Sequence, residues 1–136
     1  MPNTKITTKN YILRLNRGED VIIELTKFCQ TNKIFSGSFY GIGACDRAEL
    51  GSYSVETKKY IKKAFTGEHE IAPLTGIISD KKIHAHAVIG DEEFNAHAGH
   101  VNSMRISATC EIHLSAGEEA IYRKHDDETG LELLDI

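Results

Sequence analysis

Residues 83–100 read Ile83-His84-Ala85-His86-Ala87-Val88-Ile89-Gly90-Asp91-Glu92-Glu93-Phe94-Asn95-Ala96-His97-Ala98-Gly99-His100. Successive side chains of a β-strand point to opposite faces, so His84 and His86 share one face while Ile83, Ala85 and Ala87 take the other. Gly90-Asp91-Glu92-Glu93 has turn chemistry and folds the chain back, laying the 94–100 segment beside the 83–89 segment. The stretch therefore predicts an antiparallel pair with histidines on both members.

The same texture extends outward. Glycines at 37, 41, 43, 51, 67 and 76 punctuate β-branched or aromatic runs, and the expected strands are 34–42, 47–55, 58–66, 69–79, 82–89, 106–115 and 119–124, with a turn at Ser79-Asp80-Lys81. Tyr11–Leu15 forms an earlier strand. Ser36-Gly37-Ser38-Phe39-Tyr40-Gly41-Ile42-Gly43 reads as a strand and tight turn rather than as a nucleotide loop. One helix is expected: from Asp20, Val21, Ile22, Leu25, Phe28 and Cys29 recur on one face, with Glu19 and Asp20 suiting its start and Asn32 and Lys33 its finish. The fold class is α+β, mostly antiparallel sheet with one main helix. One helix cannot cover so much sheet, which calls for sheet packing, sheet closure or another subunit.

A chain of 136 residues suits one core, so residues 1–136 read as a single domain. No stretch approaches the roughly 20 apolar residues of a membrane span, and no apolar leader opens the sequence, so a cytoplasmic location is the default expectation. The three cysteines, Cys29, Cys45 and Cys110, sit in apolar runs without a CxxC pair and read as buried thiols. A formal charge of -4 argues against a protein whose affinity for nucleic acid rests on phosphate neutralisation. The densest basic run, Lys58, Lys59, Lys62 and Lys63, reads as a solvated strand face.

Four of the seven histidines lie between His84 and His100. Two imidazoles side by side on a strand can bring nitrogens to about 2.0–2.1 Å from one Zn²⁺. The third ligand comes from the returning strand, where His97 and His100 compete; Gly99 permits a close backbone approach that favours His100. The alternatives are a solvent-facing pair of histidines or a hydrogen-bonded polar cluster with no ion. Glu70 and Glu111, acidic residues within apolar strands, could orient a ring or bound water, or simply face solvent. His69, His113 and His125 carry less. No Ser-His-Asp order, phosphate-binding glycine loop or HExxH helix is present.

The chain resembles the plants-and-prokaryotes-conserved (PPC) domain family, which in plants follows an AT-hook and in bacteria and archaea usually stands alone. The matching residues run through nearly the whole chain: Arg14 with Gly18-Glu19-Asp20, Gly41-Ile42-Gly43-Ala44, Leu50-Gly51-Ser52-Tyr53, Glu70-Ile71 with Leu74-Thr75-Gly76, His84-Ala85-His86, Gly99-His100, Thr109-Cys110-Glu111, and Arg123 with Thr129-Gly130-Leu131. The resemblance implies a trimer-forming PPC-like fold, a homotrimer built largely from sheet surfaces, and a metal site on His84, His86 and His100. Two features depart from the family pattern: Ala98 stands where a second glycine is frequent, and His97 is an added histidine. There is no Arg-Gly-Arg-Pro-like core, so minor-groove binding through an AT-hook does not transfer.

These readings converge on a metal-binding homotrimer, with zinc first and another divalent metal as the alternative, whose activity the sequence does not disclose. DNA association follows only from the family's customary label, against the acidic charge. The rival is a zinc-dependent hydrolase or lyase acting on a small molecule through a metal-bound water, with Glu70 as general base. A third reading has the ion bind a small anionic ligand or staple the subunit.

Overall fold

The computed structural model describes Met1, residues 3–5 and residues 9–136. In chain order the elements are β1 (Asn3–Lys5), β2 (Asn10–Asn16), α1 (Val21–Thr31), β3 (Ser36–Ser54), β4 (Lys59–Ser79), β5 (Lys82–Gly90), β6 (Ala96–Ala116), β7 (Tyr122–Asp126) and β8 (Leu131–Asp135). The class is α+β, as the sequence predicts: antiparallel sheet with one helix among the described residues.

The sheet order is β1-β2-β6-β3-β4-β5, and β5 pairs with β6 as well. That extra pairing closes β3, β4, β5 and β6 into a ring. Strand β6 shares one edge between two partners: Ala96–His100 pair with β5, and Thr109–Ser115 pair with β2. Its other edge runs along β3, from His100 opposite Gly51 to Ala116 opposite Gly37. Closure removes two exposed edges, the first part of the answer to the coverage problem.

The strands are longer than their sequence suggests. The expected pairs 34–42 with 47–55 and 58–66 with 69–79 are single strands, β3 and β4, and the expected 106–115 strand runs back to Ala96. Register shifts at Gly41/Gly43 and Cys45/Arg47 let β3 bend without leaving the ladder. No tight turn forms at Gly41–Gly43. These glycines are needed because a β-carbon at 41 would lie 2.5 Å from the Glu111 carbonyl oxygen, and one at 43 would collide with that of Thr109. The expected 119–124 strand begins at Tyr122, and its partner β8 is absent from the sequence reading. The turn between β4 and β5 falls where expected, with Asp80 and Lys81 both at positive φ, as a two-residue hairpin of this twist requires.

Helix α1 starts where expected because the Asp20 carboxylate accepts from the Ile22 and Ile23 amides at 2.9 and 3.1 Å. Its other oxygen accepts from the Met104 amide at 2.9 Å, tying the helix start to β6. Val21, Leu25, Phe28 and Cys29 are buried against the sheet, each of the larger side chains contributing on the order of 1.5–3 kcal/mol. All three cysteines are free and buried, and burial pushes their thiols up, to about 12 for Cys29 and Cys110 and about 11 for Cys45.

The helix covers one face of the sheet. The opposite face leaves Ile12, Tyr40, Ile42 and Ile77 between 39% and 62% exposed. The row Ile12–His113–Tyr40–Thr75–His86 crosses this face through successive Cα partners, so the apolar side chains and the histidines share it. Among the described residues, no helix is long and apolar enough to cross a membrane.

The close approach of β3 to β6 makes a direct test of the fold. Gly43→Ala should cost about 1–3 kcal/mol in urea unfolding, because the added methyl meets rigid backbone rather than a movable side-chain end. An unchanged midpoint would show that the two strands lie farther apart than described.

Candidate metal centre

His84 and His86 project from β5 away from Ile83, Ala85 and Ala87, which are buried. His100 of β6 is the Cα partner of His86, so the turn chemistry of residues 90–95 delivers the third ring. Asp91 holds that turn by accepting from the Glu93 and Asn95 amides at 3.0 and 2.9 Å. Gly99 permits the approach: a β-carbon there would lie 2.7 Å from the Gly51 carbonyl oxygen of β3. Ring centroids are 5.2 Å apart for His84–His86, 5.1 Å for His84–His100 and 5.6 Å for His86–His100, and one nitrogen of each ring lies within 4.8 Å of the others. Two nitrogens bound to one tetrahedral zinc are about 3.3 Å apart, a gap that modest rotation about the soft terminal torsion of histidine can close.

No hydrogen bond from a described residue engages any of the three rings. Burial comes first in lowering the His84 pKa to about 4, with the neighbouring imidazoles and the charges of Arg123 and Lys82 adding to it. The His100 pKa is lowered as well, by burial and then by His86, Lys82 and Lys62. His84 and His100 are therefore favoured in the neutral form that binds metals. No fourth His, Cys, Asp or Glu ligand atom joins the group among the described residues.

Beside the triad lies a cavity of about 270 Å³ lined by Tyr60, Lys82, His84, His100, Arg123 and β8 residues 131–133. The Tyr60 ring stands edge-on to His100 at 6.0 Å, and its hydroxyl accepts from Asn102 Nδ2 at 3.1 Å. The β7–β8 hairpin walls the cavity. Two strands alone are marginal in water, and this pair is tethered: Arg123 Nε donates to Ser79 Oγ at 2.7 Å, Tyr53 Oη to the Thr129 carbonyl at 2.8 Å and Lys58 Nζ to the Asp127 carbonyl at 2.8 Å. Sequence reasoning gave Tyr60, Lys82 and Arg123 no role, although Arg123 belongs to the stretches that carry the family resemblance.

The other expected participants lie elsewhere. Glu70 pairs with Gly90 rather than with the Thr75 position opposite His86, and it lines a separate cavity with Glu68, His69, Asp91 and Glu92. Within one chain it does not share the triad's cavity. Glu111 lies on β6 opposite Arg14 and Ile42, beside Tyr40 and His113 on the apolar face. His97 faces Asp91, Nε2 to Oδ2 at 3.3 Å, and packs on Phe65 at 4.7 Å. His69 bonds the Gly67 carbonyl through Nδ1 at 2.8 Å, His113 stacks on Tyr40 at 5.1 Å, and His125 bonds Glu132 at 3.0 Å.

The sequence profile of the Plants and Prokaryotes Conserved (PCC) domain matches residues 3–117. The chain belongs to this family. Among solved structures, this PPC domain is similar to a candidate DNA-binding protein from Bacteroides thetaiotaomicron, at 32% identity and a TM-score of 0.93 over 98% of this chain and 96% of that one. A metal-containing protein from Archaeoglobus fulgidus is 32% identical, with a TM-score of 0.85 over 93% of this chain and 92% of that one. A plant- and prokaryote-conserved protein from Pyrococcus horikoshii is 26% identical, with a TM-score of 0.85 over 94% and 92%. No curated protein matches the chain.

The hairpin that walls the cavity lies beyond the matched residues of the PPC domain, and its turn makes a local test. Asp126 Oδ2 accepts from the Thr129 hydroxyl at 2.6 Å and the Thr129 amide at 2.8 Å, which holds its carboxyl below the usual aspartate value of 3.8. A depressed folded-state value means that this stabilisation is complete above 3.8 and lost as pH falls through the lower value. Asp126→Ala at neutral pH should speed amide exchange in residues 122–135 and leave β3 and β6 unchanged. Wild-type protein, after correction for intrinsic rates, should show the same local loosening only below pH 3.8. Uniform loosening of the whole sheet would contradict the assignment.

Proposed function

We propose that the chain is a zinc-binding homotrimeric PPC-domain protein that works on, or responds to, a small molecule at the His84–His86–His100 face. The carrying observation is three imidazoles gathered from two strands with their ligand nitrogens within 4.8 Å of one another. A metal ion would engage all three converging nitrogens at once. Support also comes from the Archaeoglobus relative, which is metal-containing. All-imidazole ligation suits zinc, with copper, iron or nickel as chemical alternatives. An ion held there supplies Lewis acidity to an oxygen of a bound molecule.

The adjoining cavity favours a working site over a closed structural staple, since three protein ligands and an open side are the pattern of reactive rather than structural zinc. This keeps the hydrolase or lyase reading as the second choice. In either form, Tyr60 would orient a polar group through its Asn102-held hydroxyl, and the hairpin would limit access of water. Within one chain nothing places Glu70 to act as general base there.

The trimer is proposed from the uncovered sheet face of Ile12, Tyr40, Ile42 and Ile77, whose burial against like faces would complete the coverage that one helix leaves unfinished. A DNA-associated role, suggested by the description of the Bacteroides relative, has weaker support. In the Lys58–Lys63 run, Lys62 pairs with Glu49 at 3.3 Å and Lys63 lies over the Phe65 ring at 5.0 Å, in a chain of net charge -4.

Protein purified without chelator should carry one equivalent of zinc per chain by elemental analysis. His84→Ala and His100→Ala should each lose it, whereas His97→Ala should keep it. A parent protein free of metal would end this reading. Separately, sedimentation should give a trimer, and Tyr40→Glu should shift it towards monomer by placing a charge in the apolar contact; a parent that sediments as a monomer would remove the assembly from the proposal.

A further inference from the structure

The charges around the triad are unbalanced. Three imidazoles bring no negative charge to a dication, and two permanent cations, Lys82 and Arg123, line the same cavity. Lys62, also nearby, is already paired with Glu49 at 3.3 Å. The one carboxylate of the lining, Glu132, is engaged by His125 Nδ1 at 3.0 Å. Among the described residues no carboxylate pairs with Lys82. A dication beside two unneutralised cations in a partly enclosed space is costly until an anion joins them.

Arg123 is built to receive that anion. Its Nε is committed to Ser79 Oγ at 2.7 Å and one Nη1 hydrogen to the Glu132 carbonyl at 2.8 Å, so the guanidinium plane is fixed from both sides. Nη2 and the second Nη1 hydrogen have no partner among the described residues, and an immobilised fork of this kind suits the two oxygens of a carboxylate. The rest of the lining is short and mixed: Leu131 and Leu133 offer apolar surface, and Tyr60 offers a hydroxyl. A volume of about 270 Å³ falls just below the roughly 300–1,000 Å³ of drug-sized sites.

We infer that the cavity is a receptor for a short-chain organic monocarboxylate, its carboxylate held by Arg123 and Lys82 and its apolar end against Leu131 and Leu133 of the C-terminal hairpin. This deepens the proposed function and rests on the metal reading. It assigns Arg123 and Lys82 as anion-binding residues and makes the hairpin the part of the chain that selects the ligand.

The test uses zinc-loaded protein, with metal content measured on the same sample, titrated calorimetrically with 2-hydroxybutyrate, with its uncharged amide 2-hydroxybutyramide and with inorganic phosphate. The acid should bind one per chain, the amide should not bind, and phosphate should bind more weakly. Arg123→Gln and Lys82→Gln should each weaken the acid by about tenfold or more while zinc content stays at one equivalent. Arg123→Lys, which keeps the charge without the fork, should recover only part of that loss. Lys82 is exposed, so its variant remains informative if the Arg123 variants disturb the hairpin. Three results with full zinc would overturn the inference: no binding of the acid, equal binding of acid and amide, or both glutamine variants behaving as wild type. Tighter binding of phosphate would also overturn it, by replacing the carboxylate with a different anion. Protein that holds no zinc would instead bring down the metal reading beneath it, and the elemental analysis separates the two failures.

Discussion

Everything at the candidate site depends on the backbone pairing that closes the sheet, His86 opposite His100 between β5 and β6. Side chains alternate along a strand, so a slip of one residue in this register would send the third imidazole to the core side and turn Gly99 and Val101 outward. The register is held from several directions. Asp91 fastens the connecting turn, β3 runs along the far edge of β6, and the alternating face of β5 commits Ile83, Ala85, Ala87 and Ile89 to the core. Core packing and ligand geometry are thus two faces of one arrangement, because the same alternation that buries the alanines presents the histidines.

Electrostatics then separates this histidine group from the others. His69, His97, His113 and His125 each have a partner, a carbonyl, a carboxylate or an aromatic ring, that accounts for their position. The three at the site face one another, with the Tyr60 ring edge-on to His100 and the cations Lys82 and Arg123 close by.

Much of this could be read from the sequence. Helix α1, its Asp20 cap, the β4–β5 turn, the β5–β6 return and the triad all follow from local signals: a 3.6-residue period, turn residues and two-residue alternation. What escaped was non-local. Glycines at 41 and 43 look like terminators in a linear text, yet they sit in mid-strand because another strand's carbonyls press against them. Glu70 looks like a partner for the histidines because it is acidic within an apolar run, yet the register of β4 on β5 carries it to a different cavity. The β7–β8 hairpin lacks a strong pattern of its own and gains its place from Ser79, Tyr53 and Lys58 far back in the chain. For that reason the residues facing the triad from above stayed hidden while those beneath it did not.

The ring of strands carries the three histidines, whereas Arg123 and residues 131–133 arrive on a segment beyond the matched domain, at residues 3–117. The floor and the wall of the cavity therefore come from different parts of the chain, the ring and the C-terminal hairpin. Because the hairpin is fastened to the ring through Ser79, Tyr53 and Lys58, a substitution at residues 131–133 recolours the cavity wall while leaving the strands that carry the histidines in place.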